Sequence, residues 1–230
     1  MKYYYINDIA DEKDDNGISP QVTRFADLYD PAAKDGVYDL HGMDKSYVFG
    51  MNLKVGRLLV DGRTNTTDVL SSVYFNSFLG LLMSSKLLNI LLNFKLIEYR
   101  VFDIPVVHRG NNALYHYLYF GRYTSPSIVF EHTFFKECNT IGRRLSDLNL
   151  NFKNLKEFES YRAEAEKRDK PIYVKPNHIT IDSKKIEHDV FQIGVGFYYN
   201  IINEKVRESL LSKGLTGFKI KELPEWIQIV

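Results

Sequence analysis

His108, Arg109 and His116, in the segment VVHRGNNALYHY, are residue types that move protons near neutral pH and grip anions. An imidazole titrates close to neutrality and serves as acid or base, while a guanidinium holds a phosphate in a two-pronged fork. A small cytoplasmic enzyme acting on a nucleotide or a sugar would use such groups. Their spacing follows no established catalytic pattern, and a loop after a strand with hydrogen-bonded or solvated histidines calls for the same residues. Asp11, Glu12, Asp14 and Asp15 offer oxygen ligands, but DEKDDNG lacks the alternating acidic positions and the closing Glu of a helix–loop–helix calcium site. Neither a metal nor a cofactor is expected. The same acidic cluster suits a second role, as an electrostatic lure for a basic partner. Tyr117, Tyr119 and Tyr123, around Phe120, form an aromatic run that can supply interface anchors, with core packing as the competing explanation. Gly-rich phosphate loops, HExxH and a serine elbow are absent from the sequence.

The elements that must position these residues are legible in part. Lys2–Ile6, rich in Tyr and Ile, reads as an opening strand before the polar, turn-prone stretch Asn7–Pro20. Lys54–Val60 and Tyr99–Val107 read as strands. From Phe152 to Lys170, apolar residues at Phe152, Leu155, Phe158, Tyr161 and Ala165 recur at three- and four-residue steps, which predicts a helix ended by Pro171. Its charged side (Glu157, Glu159, Arg162, Glu164, Glu166) is a solvated face.

With 44% hydrophobic and 26% charged residues in 230, the chain has the composition of a folded protein large enough to bury a substantial core. Aromatics at 14% favour half-buried pleated surfaces, so strands should be plentiful. The most apolar stretch, Phe78–Leu92, is interrupted by Ser84, Ser85, Lys86 and Asn89, too polar to span a bilayer. The start of the chain carries no secretory signal, and Cys138, the single cysteine, suits a reducing compartment, so a cytoplasmic location is expected. The net charge of +1 conceals a split: residues 1–45 carry about −5 and the remainder about +6. Arg143–Arg144 and Lys184–Lys185 are too short to mark nucleic-acid binding.

The most informative pattern is internal. Met83–Pro105 and Ile202–Pro224 align without a gap at an offset of 119, matching Lys86 with Lys205, Leu91 and Leu92 with Leu210 and Leu211, and Pro105 with Pro224. Each copy reads as a helix capped by Ser84 or Asn203, then a turn, then a strand. The second turn has Gly214, able to take left-handed backbone angles; the first has Lys95, so its turn must differ or be strained. Both copies are preceded by an acidic-plus-apolar segment, Thr67–Leu70 and His188–Phe191. The fold expected is α+β, with mixed sheets, packed helices and two pseudo-repeated helix–turn–strand lobes. It is one domain over 1–230, divisible into an N-terminal lobe 1–120 and a C-terminal lobe 121–230.

The passage HDVFQIGVGFYYNIINEKVRESLLSKGLTGFKIKELP resembles the ending of a family of bacterial immunity proteins encoded beside polymorphic toxins. The resemblance is carried by the strand Asp189–Val190–Phe191, the helix opening Asn203–Lys205 and the turn Gly214–Leu215–Thr216–Gly217–Phe218. Residues 1–60 carry none of its motifs. It implies a non-enzymatic antidote that binds a cognate toxin domain by protein–protein contact, without membrane or nucleic acid as partner. It carries over no catalytic residue. The motif itself is expected to maintain the fold, with the toxin contact elsewhere. A scaffold or regulatory subunit of another kind fits the same sequence.

Overall fold

The computed structural model describes residues 1–8, 20–26, 56–72, 75, 79–120, 126–139, 141–195 and 198–230. Asp11, Glu12, Asp14, Asp15 and Tyr123 lie outside the described residues. In chain order the strands and helices are β1 (Tyr3–Asp8), β2 (Val22–Phe25), β3 (Leu58–Val60), β4 (Gly80–Ser84), α1 (Ser85–Leu91), β5 (Arg100–His108), β6 (Asn111–Tyr119), β7 (Phe134–Cys138), β8 (Leu150–Asn151), α2 (Leu155–Glu166), β9 (Tyr173–Ile181), β10 (Val190–Gly194), β11 (Tyr198–Asn203), α3 (Glu204–Ser212), β12 (Phe218–Glu222) and β13 (Ile227–Ile229). The class is α+β with mixed and antiparallel sheets, ordered β2-β3-β5-β6-β4, β10-β11-β1-β12 and β13-β9-β7-β8.

Two compact units share the chain. The first comprises Met1–Tyr123, His188–Gln192 and Tyr199–Lys221; the second comprises Thr124–Glu187, Ile193–Tyr198 and Glu222–Val230. Both copies of the repeat fall in the first unit, apart from the last three residues of the second copy, Glu222–Pro224.

In that unit, the first copy runs β4–α1–β5 and closes with the hairpin partner β6, which lies between β4 and β5. The turn from β5 to β6 is Arg109–Gly110, both with positive φ (49° and 79°), the backbone that matches the twist of a two-residue hairpin. Arg109 is the non-glycine residue with positive φ among the described residues, and its guanidinium ties the turn down by donating to the carbonyls of Gly62 (2.8 Å) and Thr64 (3.3 Å).

The second copy runs β11–α3–β12, and the strand between β11 and β12 is β1. Ser84 pairs with Tyr115 and Asn203 with Tyr3; Leu82 pairs with Tyr117 and Ile201 with Tyr5. The segment Tyr3–Tyr4–Tyr5–Ile6 thus occupies, residue for residue, the register of Tyr115–His116–Tyr117–Leu118. The two modules are copies in space whose connectivity is permuted: one draws its central strand from the following hairpin, the other from the start of the chain.

The second unit packs α2 on the β7–β9 pairing. Asn154 caps the helix, its side-chain oxygen accepting the amide of Glu157 at 3.0 Å. Phe135, Phe152 and Phe158 form the core beneath it, with Phe135 and Phe158 stacked at 4.6 Å between ring centroids. The helix stops at Glu166, short of Pro171: Ile172 returns its amide to the carbonyl of Ala165 at 3.1 Å, so a backbone reversal ends it before the proline is reached. Pro176 sits in β9 opposite Phe135, where the register shifts, as a residue without an amide hydrogen requires.

Candidate functional site

The residues that carry the repeat and the resemblance meet in two matching sockets. Asp68 Oδ1 accepts the hydroxyl of Ser84 at 2.8 Å and its Oδ2 accepts the backbone amide of Thr216 at 3.0 Å. Asp189 Oδ1 accepts the side-chain amide of Asn203 at 2.6 Å and its Oδ2 accepts the backbone amide of Lys95 at 2.9 Å. Each carboxylate therefore fixes the helix cap of its own module and the turn of the other. The caps pass the interaction on: Ser84 Oγ accepts the amide of Leu87 (3.3 Å), and Asn203 Oδ1 that of Val206 (3.1 Å). Backbone bonds run parallel, Val69 N to Thr216 O (3.1 Å) and Val190 N to Lys95 O (3.2 Å).

The turns reach equivalent places by different routes. α1 has 7 residues and α3 has 9, so Lys95 takes the place equivalent to Thr216, and not that of its gapless partner Gly214. The first turn differs from the second and has no positive φ. Gly214 (φ 58°) faces open space, whereas a Cβ on Gly217 (φ 89°) would stand on the Val69 carbonyl and the Thr67 side chain. Only a glycine permits that approach.

Tyr115 completes the first socket by donating to the carbonyl of Thr67 at 2.7 Å. Burial, and secondarily the Asp68 charge, push its hydroxyl up to about 12. Tyr3, in the same register position, is raised by burial and then by Asp189.

The histidines are divided. The ring Nε2 of His108 lies 3.0 Å from the Thr64 carbonyl, so with Arg109 it anchors the 61–64 turn. His116 sits on the neighbouring strand in a chain of contacts: Nδ1 is 2.9 Å from Asp103 Oδ1 and Nε2 is 2.8 Å from Ser85 Oγ. Chemically this order, carboxylate to imidazole to hydroxyl, can draw a proton from Ser85. The Asp103 side chain is 73% exposed, which screens its charge. The same register positions in the second module hold Tyr4 and Glu204. There the Tyr4 hydroxyl, followed by Arg207, holds the Glu204 carboxyl below its ordinary value, and Arg207 lies 4.7 Å over the Tyr4 ring. A polar clasp between the central strand and the first residue of the helix is common to both modules; its chemistry differs.

Tyr117 and Tyr119, expected as interface anchors, are 1% and 0% exposed. Tyr117 packs against Phe75 at 4.8 Å, so core packing accounts for Tyr117 and Tyr119. Among the described residues no three His, Cys, Asp or Glu side chains gather to hold a metal ion. No helix among them is long and apolar enough to cross a membrane.

No family model matches the chain, and no curated protein matches it.

Sequence reading missed Ser85, Asp103 and the tasks of Asp68 and Asp189. The recurrence of the two aspartates was visible, and so was the likeness of YYYI to YHYL; what hid their meaning was the permuted order.

Proposed function

We propose that this chain is an antidote of the immunity type, a cytoplasmic protein that binds a cognate secreted toxin domain and neutralises it by contact. The observation that carries this reading is the pair of sockets. The residues on which the family resemblance rests, Asp189, Asn203 and Gly217, act as hydrogen-bonding and close-packing parts of a frame. A motif engaged in holding the frame leaves the outer surface free to vary with the toxin, which is what a one-to-one antidote requires. The test is co-expression with the toxin encoded beside this chain: cells should survive, and the two proteins should co-purify. Continued killing with a folded antidote present would refute the reading.

A second reading, a small hydrolytic enzyme, is favoured by the Ser85–His116–Asp103 chain of contacts. Ser85→Ala and His116→Ala separate the two. An antidote keeps protecting with either change, whereas an enzyme loses its function with both.

A further inference from the structure

The connection between β7 and β8 leaves three aliphatic side chains in water: Ile141 is 85% exposed, Leu148 76% and Leu145 49%. Its described residues nonetheless carry a set of internal hydrogen bonds. At the near end Asn139 N donates to Arg143 O and Gly142 N to Asn139 O, both at 2.9 Å, and Arg143 N donates to Asn139 Oδ1 at 2.8 Å, with Gly142 at φ 82°. At the far end the Arg144 guanidinium folds back onto its own loop, donating to Ser146 O (2.6 Å), Asp147 O (2.8 Å) and Asn149 Oδ1 (3.4 Å). Asn177 Nδ2 donates to the same Asn149 oxygen at 3.3 Å.

An exposed arginine folded back to brace a loop whose aliphatic side chains the core does not use is an arrangement that serves binding. Bracing removes in advance the ordering entropy that a partner would otherwise have to overcome, and each exposed aliphatic side chain gains when it leaves water. The near end of the loop is cationic: Arg143 is exposed, and Lys175 Nζ stands beside Gly142.

We propose that this loop is the surface that seats in the toxin domain, and that its occupant is an apolar groove of that domain rimmed by carboxylates. The proposal rests on the antidote reading above.

The test titrates the purified toxin domain from the adjacent reading frame into the full chain by calorimetry, at low and high salt. Ile141→Ser combined with Leu148→Ser should weaken binding roughly 30-fold or more. Arg144→Gln keeps the aliphatic groups but removes the brace, and should weaken binding about 10-fold. Higher salt should weaken the wild type as the cationic end of the loop is screened. Leu211→Ser, an exposed leucine on α3 (56% exposed), should change nothing and reports any general cost of losing a surface leucine. Tight wild-type binding that the Ile141/Leu148 double variant leaves within about 2-fold overturns this surface while leaving the antidote reading intact. Absence of wild-type binding overturns that reading and this proposal together.

Discussion

The carboxylate of Asp68 accepts the backbone amide of Thr216 at 3.0 Å across 148 residues of sequence, and Asp189 does the same for Lys95 at 2.9 Å. The exchange is reciprocal, so neither module completes its own turn. A hydrogen bond to an ionised group contributes about 1.5–3 kcal/mol, and each aspartate also steadies a helix cap worth about 1 kcal/mol. Asp68→Ala and Asp189→Ala should therefore each lower unfolding stability by about 2–4 kcal/mol in urea titration. A loss under about 0.5 kcal/mol in both would show that the sockets do not hold the modules.

The two turn glycines should respond unequally. Gly214→Ala adds a methyl group into open space and meets only the strain of a left-handed backbone, about 1 kcal/mol. Gly217→Ala meets the same strain and drives its Cβ onto the Val69 carbonyl, so it should cost more than about 3 kcal/mol or prevent folding. Melting temperatures rank the two; equal effects would contradict the close approach at Gly217.

Alkaline pH should act through Tyr115. Its folded-state hydroxyl titrates at about 12 against 10.0 when unfolded, so the folded state keeps its proton longer. The stabilising contribution is full below pH 10 and is lost as pH rises from 10 through 12, on the order of 2–3 kcal/mol. Tyr115→Phe leaves the Thr67 carbonyl without this donor and should be about 1–2 kcal/mol less stable at pH 7. The gap between wild type and variant should narrow across that alkaline range; a constant gap would argue against the burial of this hydroxyl.

The strand-to-helix clasps should be modest in energy. Ser85 is exposed and Asp103 mostly so; Ser85→Ala and His116→Ala should each shift stability by no more than about 1 kcal/mol by thermal unfolding. On the antidote proposal, both variants should protect as well as the unmodified chain in the co-expression assay.

Much of the frame was legible beforehand where a pattern is local. The caps Ser84 and Asn203, the strand Arg100–His108 and the helix face of Phe158 and Ala165 follow from short-range preferences and periodicity. Pro171 misled because the backbone reversal at Ala165 ends the helix first. The buried tyrosines misled because an aromatic run carries the same letters in a core as in an interface. The sockets were illegible for a different reason: each joins groups from distant parts of the chain, and pairing of β1 with β11 assigns the first strand to the last module. The exposed loop after β7 leaves no periodic mark, since its character lies in where Arg144 folds, and composition is blind to that.

The borrowed central strand sets an order of events during synthesis. β4, β5 and β6 leave the ribosome within one short stretch and can close at once. β1 emerges first but must wait for Asn203, its partner across 200 residues, before the second sheet can form. So long a loop is slow to close. Pulse-labelled hydrogen exchange during refolding should find the amides of β5 and β6 protected before those of β1, and the nascent N-terminal tyrosines should be the segment most exposed to stray pairing.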